Sequence, residues 1–288
     1  MTPILAGLAT ALAYATSTLV SARASRLAGP SATVAGAMLV GLLIVLPVAL
    51  VTVPATVAPA TAVAVLLAGL ANVLGLLLAY TAFTVGTVGI VATIASTEGA
   101  IAAVLSVLAG ERLVPGSGPI LALIAAGVAL AAAGGGGEVE EGVRIPRSRS
   151  LRAAGLAAVS AFLFGSGLFL TASVAGSLPA AWILLPARAT GAALLGVPLL
   201  VTRSARVPGR AVPFIVACGI AEVVGFSTFV VGSQVDVAIT AVLASLFAPI
   251  AAVAAFVLFS ERLARRQIAG IALVVAGVTL LGAVSGAG

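Results

Sequence analysis

Three charged side chains lie inside long apolar segments of the sequence, where a charge is unfavourable. They are Glu98, Arg188 and Glu222. A charged side chain at the centre of a membrane helix costs about 2.5–3.5 kcal/mol on insertion scales, so it usually faces a cavity or a partner. We therefore expect these residues either to take part in moving a substrate or ion, or to form an interhelical ion pair that only fixes packing.

Carboxyl and guanidinium groups inside a membrane helix suggest proton exchange or binding of a charged substrate. A carboxyl group away from water takes up a proton more readily than one in water, and a guanidinium beside it opposes this. A glutamate paired with Arg188 would stay ionised, whereas an unpaired glutamate would be able to carry a proton and couple transport to the proton gradient. Arg188 would alternatively bind a substrate carboxylate through two parallel hydrogen bonds.

An internal repeat supplies the elements that must position these residues. The tripeptide Glu-Arg-Leu occurs at 111–113 and again 150 residues later at 261–263, each time between long apolar runs. Further identities at this offset are Gly69 with Gly219, Gly75 with Gly225, Leu123 with Leu273, and Gly127 with Gly277. The repeat predicts duplication of one apolar folding unit, as in many secondary transporters.

The same offset relates the polar residues of the two halves. Glu222 corresponds to Asn72, so both halves place a polar group at an equivalent depth in their third helices. We predict that Glu98, Asn72, Glu222 and Arg188 line a central polar path between the halves. Met38 corresponds to Arg188, so the halves have diverged where a substrate is expected to be recognised.

The composition predicts an integral membrane protein, because 62% of residues are apolar, 8% are charged and the mean hydropathy is +1.31. A helix needs roughly 20 apolar residues to cross a hydrocarbon core about 30 Å thick. By that measure the sequence contains ten apolar runs, at about 3–22, 32–52, 61–83, 87–109, 117–134, 152–173, 180–201, 211–232, 237–259 and 267–285.

One polar stretch, Gly134–Ser150, divides the ten runs into two sets of five. Because five is odd, the second set must enter the membrane in the opposite orientation. We therefore predict an all-α integral membrane protein whose ten transmembrane helices form two inverted five-helix repeats. The repeats cover residues 1–134 and 151–288 and are joined by a flexible linker at 135–150.

Arginine placement predicts the orientation in the membrane. All fourteen basic residues are arginine, and twelve of them lie in the loops that follow odd-numbered spans. The opposite loops and the termini hold Arg112 alone. By the positive-inside rule, we predict that the linker lies on the cytoplasmic side of the cell inner (plasma) membrane and that both termini lie on its outer side.

The residue types present exclude several classes of site. Without histidine, and with Cys218 as the single cysteine, the chain has no standard zinc site and no intramolecular disulfide. Without lysine it has no Walker-type phosphate loop, and its arginines in short loops argue against nucleic-acid binding. We predict no metal and no cofactor. Asp236, just ahead of the ninth run, is predicted to cap a helix N-terminus.

Motifs in both halves carry a family resemblance. Gly110-Glu-Arg-Leu is followed by Leu123 and Gly127, Ser260-Glu-Arg-Leu by Leu273 and Gly277, and Tyr14-Ala15-Thr16 matches Phe164-Gly165-Ser166. With these motifs the chain resembles the EamA-like family of the drug/metabolite transporter (DMT) superfamily. The resemblance implies a ten-helix secondary transporter, not an enzyme, that exports a small metabolite such as an amino acid. It makes Tyr14 a first-helix aromatic that either lines the cavity or serves packing.

Other functions stay open at this point. A mostly apolar path favours multidrug efflux of lipophilic cations, whereas Arg188 favours an anionic or zwitterionic substrate. An intramembrane lipid-modifying enzyme is a weaker alternative, since no histidine and no acid pair at helical spacing occurs inside a span. The expected partners are a small-molecule substrate and the lipid bilayer, with protons as a candidate coupling ion. A monomer and a homodimer are both compatible with the sequence.

Overall fold

The computed structural model is all-α and describes residues 2–86, 88–110, 116–133, 147–202, 207–251, 254 and 265–286. Within these ranges, six helices are long and apolar enough to cross a membrane, and shorter apolar helices cover 98–108, 118–127, 237–251 and 268–277. Both Glu-Arg-Leu copies and most of the predicted linker lie outside the described residues, so the expectations placed on them stay predictions.

The helices overlap the predicted apolar runs. They are α1 (Thr2–Ala28), α2 (Pro30–Val51), α3 (Pro59–Val85), α4 (Val88–Ala95), α5 (Glu98–Leu108), α6 (Ser117–Ala133), α7 (Arg147–Val174), α8 (Ala180–Gly191), α9 (Val197–Val201), α10 (Val212–Ser233), α11 (Val237–Ala244) and α12 (Arg265–Gly286). A π-helical turn at Ala192–Gly196 joins α8 to α9, and helical residues resume after α11 at 247–251.

Local signals set several helix starts. Pro30 opens α2 and Pro59 opens α3, where the missing N–H of proline costs no helical hydrogen bond. Gly29 alone separates α1 from α2 and has a positive φ of 85°, which a residue without a Cβ adopts readily. The carboxylate of Asp236 accepts a hydrogen bond from the backbone N–H of Ile239 at 2.7 Å, so the predicted cap of α11 is confirmed.

The fourth predicted span contains a break and consists of two helices. α4 ends at Ala95, a turn follows at residues 96–97, and α5 begins at Glu98. The hydroxyl of Thr97 donates to the carbonyl oxygen of Ile94 at 2.8 Å and so competes with the helical ladder. Uninterrupted apolarity gives no warning of such a turn. Glu98 therefore lies in the first turn of a helix and not in a helix interior.

The ninth predicted span breaks at the equivalent place. α11 ends at Ala244, a turn follows at residues 245–246, and the helix resumes at 247. Here the hydroxyl of Ser245 donates to the carbonyl oxygen of Val242 at 2.6 Å. The two breaks lie about 150 residues apart, so the repeat seen in the sequence extends to an irregular feature of the backbone.

Helix packing also repeats at the 150-residue offset. α1 packs along α10 and α3 packs along α7, and the offset converts the first pair into the second. A Cβ on Gly75 would lie 2.6 Å from Cε1 of Phe164, and a Cβ on Gly225 would lie 2.5 Å from Cε1 of Tyr14. Tyr14 and Phe164 are themselves offset-related. The same contact of a ring with a glycine thus occurs twice. In one copy the first half supplies the glycine and the second half the ring, and in the other copy these roles are exchanged.

A pair of side-chain contacts follows the same relation. The hydroxyl of Ser160 donates to the carbonyl oxygen of Gly75 at 2.9 Å, and Oγ1 of Thr10 lies 3.3 Å from the carbonyl oxygen of Gly225. Thr10 and Ser160 are 150 residues apart, as are the two glycines. Each half therefore contributes its first helix to the third helix of the other half.

The outer surface of the bundle is strongly apolar. Val51 is 82% exposed, and Leu108 and Val201 are each 77% exposed. Such a surface is unfavourable in water and suits contact with lipid. Buried polar side chains, in contrast, are concentrated on helices that face the interior, including Ser17, Asn72 and Glu222.

Candidate functional site

A cavity of about 60 Å³ lies between α1, α3, α5, α7 and α10, with room for a few water molecules. Its lining combines six aromatic residues, four residues with hydroxyl or amide groups and two acids. The aromatic residues are Tyr14, Tyr80, Phe83, Phe164, Phe226 and Phe247; the others are Ser17, Thr18, Ser21, Asn72, Glu98 and Glu222. Four of the five residues singled out from the sequence therefore meet in one cavity.

Arg188 lies behind that cavity. It borders a second, smaller cavity of about 10 Å³, which is enough for a single water molecule. Asn72 and Phe226 line both cavities and so separate Arg188 from the larger one.

Glu222 and Arg188 form a buried ion pair across α10 and α8. Nη1 of Arg188 lies 3.8 Å from Oε2 of Glu222, and the two side chains are 1% and 6% exposed. The hydroxyl of Ser17, on α1, donates a hydrogen bond to Oε1 of Glu222 at 2.7 Å. Both oxygen atoms of this carboxylate therefore have partners, which holds the group in one orientation.

Arg188 is tightly enclosed by both halves. Its Nη1 donates to the thioether sulfur of Met38, its offset-related counterpart, at 3.4 Å, and its guanidinium lies 5.5 Å from the ring centre of Phe226. A Cβ on Gly41 would lie 2.8 Å from Cδ of Arg188, and a Cβ on Gly191 would lie 2.5 Å from Cγ of Met38. Met38 and Arg188 occupy equivalent positions in the two halves and contact each other. This contact therefore lies at the interface between the halves, near the axis that relates them.

Glu98 has a different environment. It is buried at the start of α5 and lines the larger cavity, and no arginine of the described ranges lies within ion-pair distance of it. Two neighbouring polar atoms are also unsatisfied. The hydroxyl of Tyr14 and Oδ1 of Asn72 are buried with no hydrogen-bond partner in the part of the chain that the structure describes. The two glutamates thus differ: Glu222 has an ion-pair partner, and Glu98 faces the cavity with no ion-pair partner among the residues that the structure describes.

Three cavity-related residues were missed at the sequence level. Ser17, Cys218 and Tyr80 form a connected group, because Sγ of Cys218 lies 3.0 Å from the hydroxyl of Tyr80 and 3.5 Å from Oγ of Ser17. A signal for Ser17 was present: Tyr14, Ser17, Thr18 and Ser21 follow the i, i+3, i+4, i+7 spacing of one helix face, and all four line the cavity. Nothing local indicated the contacts of Cys218.

Aromatic rings close one side of the cavity. The ring of Tyr14 makes edge contacts with Phe226 at 5.7 Å and with Phe247 at 6.4 Å between ring centres. These rings belong to α1, to α10 and to the segment that follows the break after α11. Such contacts add to the packing and give the cavity an apolar wall beside its acidic groups.

An all-α bundle with an apolar exterior and a buried cavity containing acidic groups has the features of an integral membrane protein with an internal polar site. The model of the EamA-like transporter family matches residues 1–133. Residues 1–133, slightly under half of the chain, are therefore similar to that family, which is part of the DMT superfamily and consists of membrane transporters.

Comparison with solved structures supports the fold. Fifteen solved chains match, among them one known from a crystal structure with a TM-score of 0.72. The match covers 97% of this chain and 96% of the other, at 19% sequence identity. At that identity it shows similarity of fold alone. No curated protein matches the sequence.

Proposed function

We propose that the protein is a secondary transporter that moves a small organic solute through the larger cavity by alternating access. The observation that carries this proposal is the position of that cavity. It lies between helices of both halves, in a bundle with an apolar exterior, and it is lined by one acidic residue from each half, Glu98 and Glu222. A site between two related halves is where a rocking motion of one half against the other changes access.

Ten transmembrane helices in two inverted five-helix repeats are part of this proposal. The reciprocal contacts of Gly75 with Phe164 and of Gly225 with Tyr14 support it, as do the helix breaks near residues 96 and 246. The repeats span residues 1–134 and 151–288, joined by the linker at 135–150. The linker is proposed to be cytoplasmic and both termini outside, in the inner membrane, on the arginine distribution.

The two glutamates have different proposed roles. Glu222 is held by Arg188 and Ser17 and serves as a fixed part of the contact between halves. Glu98 has no described cation beside it and lies at a helix break on the cavity, so it is the residue proposed to exchange protons during transport.

Two substrate classes fit a transporter of this family. Export of a small metabolite such as an amino acid is the proposal that the family resemblance supports. Efflux of lipophilic cations is favoured by a specific observation: Arg188 is separated from the larger cavity, whereas Glu98 lines it. Both classes use the same cavity and the same proton carrier.

The test is transport in liposomes that contain the purified full chain and an internal pH dye. A proton gradient is imposed, and amino acids, nucleosides and lipophilic amines are added in turn. We expect proton movement in response to one class of compound, and loss of that response in Glu98→Gln. The amide has nearly the same shape as the carboxyl group but does not exchange a proton.

A matched control separates proton exchange from a general loss of charge. Asp236→Asn removes a carboxylate outside the cavity while keeping the oxygen that caps α11. This variant is expected to transport normally. Substrate movement without proton movement would reject Glu98 as a proton carrier, and no movement of any compound by folded protein would contradict the transporter proposal.

A further inference from the structure

We infer that the larger cavity, once the proposed alternating-access motion enlarges it beyond about 60 Å³, binds an organic cation whose primary ammonium group is held by Glu98, Asn72 and Tyr14 and whose apolar body lies against the aromatic wall. The inference rests on the proposed transport function, since it names the substrate class of that same cavity.

The larger cavity contains polar groups that accept hydrogen bonds and have no described partner, whereas the unpartnered donor Nε of Arg188 belongs to a residue that lines the smaller cavity. The carboxyl group of Glu98 has no arginine of the described ranges beside it, and Oδ1 of Asn72 accepts from no described donor. The hydroxyl of Tyr14 is likewise without a described partner and is also able to accept. A buried acceptor with no donor is unfavourable, so a ligand that brings N–H groups relieves it.

The basic residue near the cavity does not line it, although its Nε has no described hydrogen-bond partner. Arg188 lies behind Asn72 and Phe226, faces the carboxylate of Glu222 and donates to Met38. A substrate carboxylate that enters the larger cavity therefore meets Glu98, which has no arginine of the described ranges beside it, and Glu222, which is already paired with Arg188. That arrangement opposes an anion and favours a cation.

The apolar part of the cavity suits a flat hydrophobic body with a positive group at one end. Tyr14, Tyr80 and Phe164 line it together with Glu98, so aromatic rings and an acidic group share one cavity. A cation is attracted both to a carboxylate and to the face of an aromatic ring. One face of Phe226 is already occupied by the guanidinium of Arg188.

The number of acceptors distinguishes between kinds of cation. A primary ammonium group has three N–H donors, one for each of the three acceptor groups: the carboxylate of Glu98, the amide oxygen of Asn72 and the hydroxyl of Tyr14. A quaternary ammonium group has none and would leave the amide and hydroxyl oxygens unsatisfied. The cavity is therefore expected to prefer a primary amine to its trimethylated analogue.

Three compounds with one common body test the inference. They are phenethylamine, phenylalanine, which adds a carboxylate, and trimethylated phenethylammonium, which removes the donors. Binding is measured for each by calorimetry on the purified full chain in detergent, and flux is measured separately in liposomes. We expect phenethylamine to bind about tenfold or more tightly than either analogue, because a charge-assisted hydrogen bond is lost or a like charge is added.

Two variants locate the ammonium group. Glu98→Gln is expected to weaken phenethylamine binding about tenfold or more, whereas Asp236→Asn leaves it unchanged. Tyr14→Phe removes only a hydroxyl that has no described partner, so it keeps the packing. This variant should weaken the binding of the primary amine and leave the already weaker binding of the trimethylated analogue unchanged.

The outcomes separate this inference from the transport proposal. Tighter binding of phenylalanine, unchanged amine binding in both Glu98→Gln and Tyr14→Phe, or no amine binding by folded protein would each overturn the ammonium site. Flux of another solute would in those cases leave the transport function standing. Amine binding with the predicted variant pattern but without flux of any solute would support the site and contradict transport.

Discussion

Replacing Glu222 with glutamine is expected to destabilise the folded protein strongly. Arg188 has the largest fully buried side chain in the described ranges, and its Nη1 lies 3.8 Å from Oε2 of Glu222. A guanidinium does not lose its proton in proteins. The variant would therefore retain a buried cation whose other described contacts, Met38 and Phe226, carry no negative charge.

The magnitude follows from the burial of the pair. Removing one partner of a buried ion pair costs about 3–5 kcal/mol. Each kcal/mol lowers the melting temperature by roughly 2–4 °C in chains of about 150–250 residues and by slightly less in one of 288, so we expect a fall on the order of 10 °C. Arg188→Met should lower the free energy of unfolding by less than Glu222→Gln does. The carboxyl group of Glu222 that remains is able to accept a proton, and it keeps its hydrogen bond from Ser17.

The double variant gives the decisive comparison. When both charged groups are removed, no buried charge is left unpaired, and replacing a whole pair by neutral groups is often close to neutral. Met38 already occupies the offset-related position, so methionine at position 188 fits the chemistry of that contact. We expect the double variant to be more stable than Glu222→Gln alone, with a coupling free energy of about 1–3 kcal/mol.

Unfolding is readily followed through Cys218, the single cysteine of the chain, which is 0% exposed. A thiol-reactive fluorophore in detergent labels it only when the bundle opens, so fluorescence against temperature reports the melting midpoint. The reasoning would be refuted if the two single variants lost equal stability and these losses simply added in the double variant. That result would show that Glu222 and Arg188 are not energetically coupled.

Two further predictions concern helix packing and capping. Gly75→Ala should lower the free energy of unfolding by about 1–3 kcal/mol, because its new methyl group would lie 2.6 Å from the ring of Phe164. In the control Gly155→Ala the new methyl group meets nothing within 4 Å, so this variant should be neutral or stabilising in the same thermal assay. Asp236→Ala should cost about 1 kcal/mol through loss of the cap on Ile239, and Asp236→Asn should retain most of it; equal melting of both variants would contradict a capping role.

Local patterns were sufficient for much of the fold. Apolar runs of membrane-spanning length indicated where the long helices lie, and residue types such as Pro30 and Asp236 indicated where helices begin. These features depend on hydropathy and backbone chemistry within one segment, which a sequence displays directly. The breaks at 96–97 and 245–246 were not foreseen, because a hydroxyl that competes with the helical ladder looks the same in sequence as one that does not.

Polar residues within apolar helices were also visible, and Tyr14, Asn72, Glu98 and Glu222 do share one cavity. The sequence by itself determined the all-α apolar class of the chain, its 150-residue repeat and the identity of its buried charges. Only the tertiary structure decided that Arg188 pairs with Glu222 and not with Glu98. The reason is physical: pairing depends on how α8 and α10 are positioned against each other, and no local periodicity records the contacts that set this.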